Sequence, residues 1–350
     1  MPTTEERLAA LEKQMAAWMA QQPTTYYTHQ YSGEEIDAAV GRALTGGALD
    51  TSVTNVSNQL GTFVKPNLLD NWYFGRPVNQ RGQTEYTTSG VCTLDRWMSS
   101  TTTKTIKILD DHLSIVDTTD YSAFLQRFEY KGLLGKTVTF SVLAKRLAQG
   151  AQMPYITVMI GNKFEGYAII EKADDYQLSY CTVTLSDTPP SEGYFFVDIV
   201  GMVGSSIEIK AAKLELGPTQ TLAHQENGQW VLNEIPKYSR ELLDCRTYFV
   251  KFGYADKYCI LGSGVARDDT FVSITVPIPA EMRTYPVVIL TGAIIIRHSD
   301  GVNQACNTLA LDAIGVSSIL LKIKASGLTP GDAYEAFLAP GNYLDVSCDL

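Results

Sequence analysis

The residues best suited to acid–base, nucleophilic or metal chemistry are scattered along this 350-residue chain. His29, His112, His224 and His298 stand alone, and no HExxH, GxSxG or phosphate-binding Gly-rich motif occurs. The six cysteines lie far apart, with no CxxC pair and no zinc-type Cys/His spacing. Two adjacent carboxylate pairs, Asp110–Asp111 and Asp174–Asp175, fall in turn-like stretches. A glycosidase needs two carboxyls facing each other across one sugar bond, so both pairs read as solvated turn residues. The expectation is no enzyme, no catalytic residue, no metal-ligand set and no cofactor. A structural calcium ion held by turn carboxylates stays open, although no EF-hand-like loop is present.

Binding chemistry has better candidates. An aromatic ring flanked by amides and charged groups can stack on a sugar's C–H face and hydrogen-bond its hydroxyls. Asn71, Trp72, Tyr73 and Asn79 offer one such set. Tyr254, Tyr258, Arg297, His298 and Asn303 offer a second, in or beside expected loops. Adjacent aromatics in a strand point to opposite faces, so one of Trp72 and Tyr73 must face outward or into a loop.

The balance of 28 basic against 38 acidic residues, net −10, argues against a nucleic-acid partner, which requires clustered Lys and Arg. No apolar run approaches the roughly 20 residues of a membrane-spanning helix, so membrane insertion is not expected. No secretory signal is visible in residues 1–20. Isolated thiols suit synthesis in a reducing cytoplasm.

Three regions follow from the patterning. Residues 1–65 read as a helical stalk. Leu8, Leu11, Met15 and Trp18 form a short a/d seam, while Ser32 and Glu35 make a capping box ahead of Ile36, Val40 and Leu44. The first helix could lie on its own domain. The polar, tyrosine-rich stretch after Pro23 favours self-association and docking instead. Residues 66–218 change to strand-length Val/Ile/Thr/Tyr/Phe segments separated by turn signals, a mainly β pattern that suits a β-sandwich or jelly roll. Residues 219–350 begin with a short helix near Leu242, Leu243, Cys245 and Tyr248. They continue as strands at 258–265, 270–278, 286–298, 317–325 and 335–349, a second β-sandwich. The run "PVVILTGAIII" lacks alternation, so both its faces are expected to be covered, one of them by a partner subunit.

The segments "NLLD" (67–70), "PVNQRG" (77–82), "DRW" (95–97) and "KLELG" (213–217) resemble a carbohydrate-binding-module-like β-sandwich of bacteriophage tail-fibre and minor structural proteins. Pro236, Tyr238, Glu241, Leu242, Cys245, Tyr248 and Phe249 resemble the segment that follows such modules, and the "PAEMRTYP" turn is similar as well. The resemblance implies a virion fibre, made in the host cytoplasm and self-associated as a homotrimer. Its N-terminal helices would dock on other virion proteins, and its β-domains would adhere to host surface polysaccharide. Receptor contact is expected on the C-terminal domain, distal to the stalk. A head-decoration or connector fibre without receptor role is the alternative, and a polysaccharide depolymerase is a third reading. In such a module Trp97 is expected in the core, with Asp95 and Arg96 pairing nearby. Light scattering of the full chain at micromolar concentration is expected to give three chain masses; a single-chain mass overturns the trimer.

Overall fold

The computed structural model describes residues 65–349, apart from 101–103, 118–121, 130–131, 149–151, 162, 172–173, 189–193 and 307. Among residues 1–64 it describes only Ala9, Ala10, Lys13, Gln14 and Ala17, which are helical and exposed. The chain divides into two compact units, Met1–Phe63 and Val64–Leu350. The seam positions Leu8, Leu11, Met15 and Trp18, and the second-helix positions Ile36, Val40 and Leu44, lie outside the described residues. The larger unit is mainly β and contains two hydrophobic cores.

The first core belongs to a twelve-strand sandwich. Its strands are β1 (Glu85–Tyr86), β2 (Val91–Cys92), β3 (Met98–Ser99), β4 (Lys104–Ile108), β5 (Leu113–Asp117), β6 (Ser122–Glu129), β7 (Thr137–Ala148), β8 (Tyr155–Ile160), β9 (Lys163–Ile169), β10 (Gln177–Thr184), β11 (Tyr194–Gly201) and β12 (Ser206–Leu216). They form two six-stranded sheets, β1-β4-β5-β12-β7-β10 and β2-β3-β6-β11-β8-β9. Alternate residues turn inward, so Phe140, Val142 and Ile209 of the first sheet meet Phe124, Phe195 and Val197 of the second. Strands β6 and β9 escape the sequence reading because their apolar alternation is broken, by Gln126–Arg127 in β6 and by Lys163, Glu165 and Gly166 in β9. Gly166 is required: a Cβ there would stand 2.1 Å from Val183 Cγ1 on β10, where the edges of the two sheets close.

Trp97 is fully buried, as expected. It stacks on Phe124 at 4.8 Å, meets Phe74 edge-on at 5.2 Å, and donates from Nε1 to the Asn71 carbonyl at 3.0 Å. The hairpin β13 (Ala223–Glu226) and β14 (Gln229–Leu232) also packs on this core through Leu222, Ala223, Trp230 and Leu232. The first core therefore draws on chain past residue 218.

After helix α1 (Tyr238–Arg246) come β15 (Phe249–Phe252), β16 (Cys259–Ala266), β17 (Phe271–Pro277), β18 (Val287–Thr291), β19 (Ile294–His298), β20 (Asn303–Cys306), β21 (Leu309–Ile314), β22 (Ser318–Lys324), β23 (Ala333–Leu338) and β24 (Tyr343–Ser347). A three-stranded sheet, β15-β24-β18, packs its Val250, Leu344 and Val346 against a seven-stranded sheet, β20-β19-β23-β16-β17-β22-β21. The apolar run expected as one strand over 286–298 is two strands in different sheets. It breaks at Gly292 (φ 86°), where a Cβ would stand 2.1 Å from Asn342 Oδ1. Each half then alternates: Val288 and Leu290 face the core, while Val287 and Ile289 are exposed. Among the described residues the run is covered on one face only. The strand expected over 335–349 is likewise two, separated by a turn at Gly341.

Truncating Trp97 to Ala removes these ring contacts and a buried donor. It is expected to cost about 3–5 kcal/mol of stability, as large-to-small core changes do. Chemical denaturation checks this, and an unchanged midpoint refutes the core assignment.

Burial pushes Asp95 up to about 6 and Asp198 and Glu241 up to about 7, and it raises Asp345 as well. Each binds its proton more tightly folded than unfolded. The stability they contribute is full below the unfolded values and is lost as pH rises through 6 to 7. The exposed Asp111, Asp268 and Asp300 have lowered values and act only at more acidic pH. The melting temperature is therefore expected to rise on acidification from about pH 8 to about pH 5; a fall over that window overturns the assignment.

Candidate functional site

The outward face of sheet β2-β3-β6-β11-β8-β9 carries a row of rings at its β9 edge. Register places Tyr167 beside Thr157 and Asp198, Ile169 beside Tyr155 and Val200, and Phe164 beside Met159 and Phe196. Phe164 (54%) and Tyr167 (65%) are exposed. Tyr155 meets Phe164 at 6.5 Å and Tyr167 edge-on at 6.2 Å, so the three rings form one strip. The strip ends inward at buried Thr157 and Asp198. Thr157 Oγ1 donates to the Gly166 carbonyl at 2.7 Å, tying β9 to β8 beside the bulge between Val158 and Met159. Asp198 Oδ1 has no hydrogen-bond partner among the described residues, and the nearby Lys104 charge partly offsets the cost of burying this carboxylate. Such a strip can stack on a flat apolar face, including one whose rim bears hydroxyls.

None of the candidates taken from the sequence lies on this strip. Trp72 is 4% exposed and packs inside the first core. Asn71 is buried with φ 52°. Its Nδ2 donates to the carbonyls of Val78 and Asp95, and its Oδ1 accepts from the Val78 N–H. Asn79 is a turn residue, its Oδ1 accepting from the Gly82 N–H and the Tyr86 hydroxyl. The platform expected at 71–79 is thus an internal brace. Tyr73, with Asn71, lines a surface hollow of about 90 Å³ shared with Arg76, Pro236, Tyr238 and Glu241.

What the 67–97 stretch builds is a joint. Arg81 is held by Asp95 Oδ1 at 2.6 Å and by Asp349 Oδ2 at 2.5 Å, and its guanidinium lies 3.9 Å over the Phe249 ring. Gln80 Nε2 donates to the Phe249 carbonyl at 2.7 Å, and the Asn71 N–H donates to Glu241 Oε2 at 2.7 Å. Arg96 pairs with Asp70 at 2.9 Å and stacks 3.5 Å over Tyr248. The residues that resemble the fibre module and those that resemble its following segment are therefore the two halves of one interface.

In the C-terminal domain the structure brings Arg297, His298 and Asn303 together. Arg297 Nε donates to Asn303 Oδ1 at 3.0 Å, and its guanidinium lies 4.7 Å over Phe337, which also meets Tyr258 edge-on. His298 sits between Asp300 and Asp332, each at 3.1 Å, and both partners raise its pKa. Ser263, Tyr334 and Glu335 complete a shallow hollow of about 410 Å³. Tyr254 is exposed elsewhere, just after β15, its carbonyl accepting from the Gly341 N–H.

Asp110, Asp111, Asp174 and Asp175 are exposed. Among the described residues no group of three or more His, Cys, Asp or Glu is placed to hold a metal ion, and no helix is long and apolar enough to cross a membrane.

No protein-family model matches the sequence, and no curated protein matches it. Solved structures similar to part of the chain include a CBM4 structure, with 15% identity over 35% of this chain and 88% of the other, at TM-score 0.29. Another is the C-terminal family 22 carbohydrate-binding module of Clostridium thermocellum Xyn10B, with 11% identity over 44% and 99%, at TM-score 0.29. A third is tailspike protein 4 of bacteriophage CBA120, with 11% identity over 43% of this chain and 21% of the other, at TM-score 0.29. Scores this low carry no functional weight.

Proposed function

We propose that this chain is a non-catalytic, glycan-binding virion-fibre protein, trimeric through its N-terminal region, that adheres to polysaccharide on the host surface. The observation that carries the binding role is the exposed strip of Tyr155, Phe164 and Tyr167, fixed on a rigid sheet. Rings on a strand lose little conformational freedom when a sugar stacks on them, so less of the contact energy is spent on ordering. The phenol hydroxyl of Tyr167 supplies a donor and an acceptor at the rim. The virion placement and the trimer rest on the resemblance of 67–97, 213–217 and 236–249 to fibre proteins. The strip lies on the middle domain, which makes that domain the first place to test for receptor contact and leaves the C-terminal hollow second.

Tyr167→Ala and Phe164→Ala remove exposed rings and are expected to leave the melting temperature within a degree or so, as surface changes do. On an array of bacterial surface polysaccharides, each is expected to weaken binding by about tenfold, equivalent to about 1.4 kcal/mol. Wild-type binding by both variants sinks the strip as the glycan site.

A further inference from the structure

We infer that the outward face of β18 is an interface with a second copy of this chain. The inference rests on the self-association proposed above and gives it a place in the C-terminal domain. β18 is the outer strand of the sheet β15-β24-β18, and among the described residues Val287–Thr291 pair with β24 alone. Alternation turns Val288 and Leu290 into the core and leaves Val287 64% and Ile289 56% exposed on the opposite face. Tyr285, two residues before Val287, is 73% exposed. An uncovered apolar strand at a sheet edge invites another chain unless a charge, a proline or a bulge blunts it. The strand "VVILT" contains no charge and no proline, and its register with β24 runs unbroken.

Polarity and size select the partner. Aliphatic side chains neither stack as rings do nor hydrogen-bond to hydroxyls, so Val287 and Ile289 fit a protein surface rather than a glycan. The charged residues of this face, Lys251 and Asp345, stand in register beside Ile289 and are both half-buried. The Lys251 ammonium lies 4.0 Å over the Tyr343 ring. Copies of a chain of net −10 repel one another, and a face without a fully exposed charge lets them meet at little electrostatic cost. The face is also small. One phenol ring and two aliphatic side chains bury on the order of 300 Å² per copy, against about 800 Å² per partner in a standard interface. A contact of that size does not hold a free partner, but it forms between copies already tethered at high effective concentration. Self-association through the N-terminal region delivers a second copy of this chain in that way.

Full-length Ile289→Cys and Tyr258→Cys are labelled with iodoacetamide and read peptide by peptide, which separates the new thiol from the six native ones. Each rate is divided by that of the same protein unfolded in urea. Tyr258 is 64% exposed just before β16, in the other sheet of the domain, and reports free surface. Ile289→Cys is expected to label at least tenfold more slowly than Tyr258→Cys; equal rates overturn the interface. By light scattering on dilution, full-length Ile289→Asp is expected to dissociate at a concentration at least tenfold above wild type, and dissociation at the wild-type concentration overturns it as well. A three-chain wild-type mass with fast labelling at Ile289→Cys removes the interface and leaves the trimer. A two-chain mass with slow labelling keeps the interface and removes the trimer, and a single-chain mass overturns both.

Discussion

The guanidinium of Arg81, caught between Asp95, Asp349 and the Phe249 ring, is the interaction on which the arrangement of the two β-domains depends. Asp95 is fully buried, and burial outweighs the Arg81 charge in setting its raised pKa. A carboxylate in that position is stable only while its partner stays, since removing one member of a buried pair leaves an uncompensated charge. The same carboxylate also accepts from the Gln80 N–H at 2.9 Å, and the Asp95 carbonyl accepts from Asn71 Nδ2. The loop that presents Arg81 and the turn that presents Arg96 are thereby fastened to one another. Trp97, next in the chain, fills the core beneath them and donates to the Asn71 carbonyl. Joint and core are one construction: residues 67–97 close the first sandwich with their apolar side chains and hold the second with their charged ones.

This double use explains what the sequence did and did not reveal. Trp97 read as core because Trp beside strand-period residues has few other ways to be satisfied. Asp95 and Arg96 read as pairing groups, and they are, but their partners Arg81, Asp70 and Tyr248 come from other segments, and the second partner of Arg81, Asp349, lies 268 residues further along the chain. Periodicity reports which face a residue takes, not which distant segment meets it. Asn71 and Trp72 looked like a ligand platform because amide and aromatic residues serve braces and binding sites equally well. The burial of both residues, a property of the tertiary fold, separates the two.

The same limit governs the C-terminal sheets. "PVVILTGAIII" lacks alternation as a string because two alternating strands are joined at Gly292, where Asn342 fills the space a Cβ would need. Read as one strand it implies two covered faces; read as two it implies one inward face in each of two sheets. A glycine inside an apolar run is the available signal, but the closeness of Asn342 belongs to the tertiary fold. Arg297, His298 and Asn303 were legible together because hairpin pairing is local, and Arg297 lies directly opposite Asn303.

The aromatic strip was missed for a reason that bears on how it works. Strand β9 reads poorly as a strand because its inward positions carry Glu165 and Gly166, while its outward positions carry the rings. An edge strand that exposes Phe, Tyr and Ile invites pairing with another chain. Here the edge is closed from within: the Ser179 hydroxyl donates to the Ile169 carbonyl at 3.1 Å, and Gly166 lets Val183 of the opposite sheet seat against the backbone. The Ile169 carbonyl is thereby occupied and the Gly166 backbone covered, which narrows the edge that β9 offers to another strand. The residues that spoil the strand's pattern are the ones that make the exposed strip tolerable.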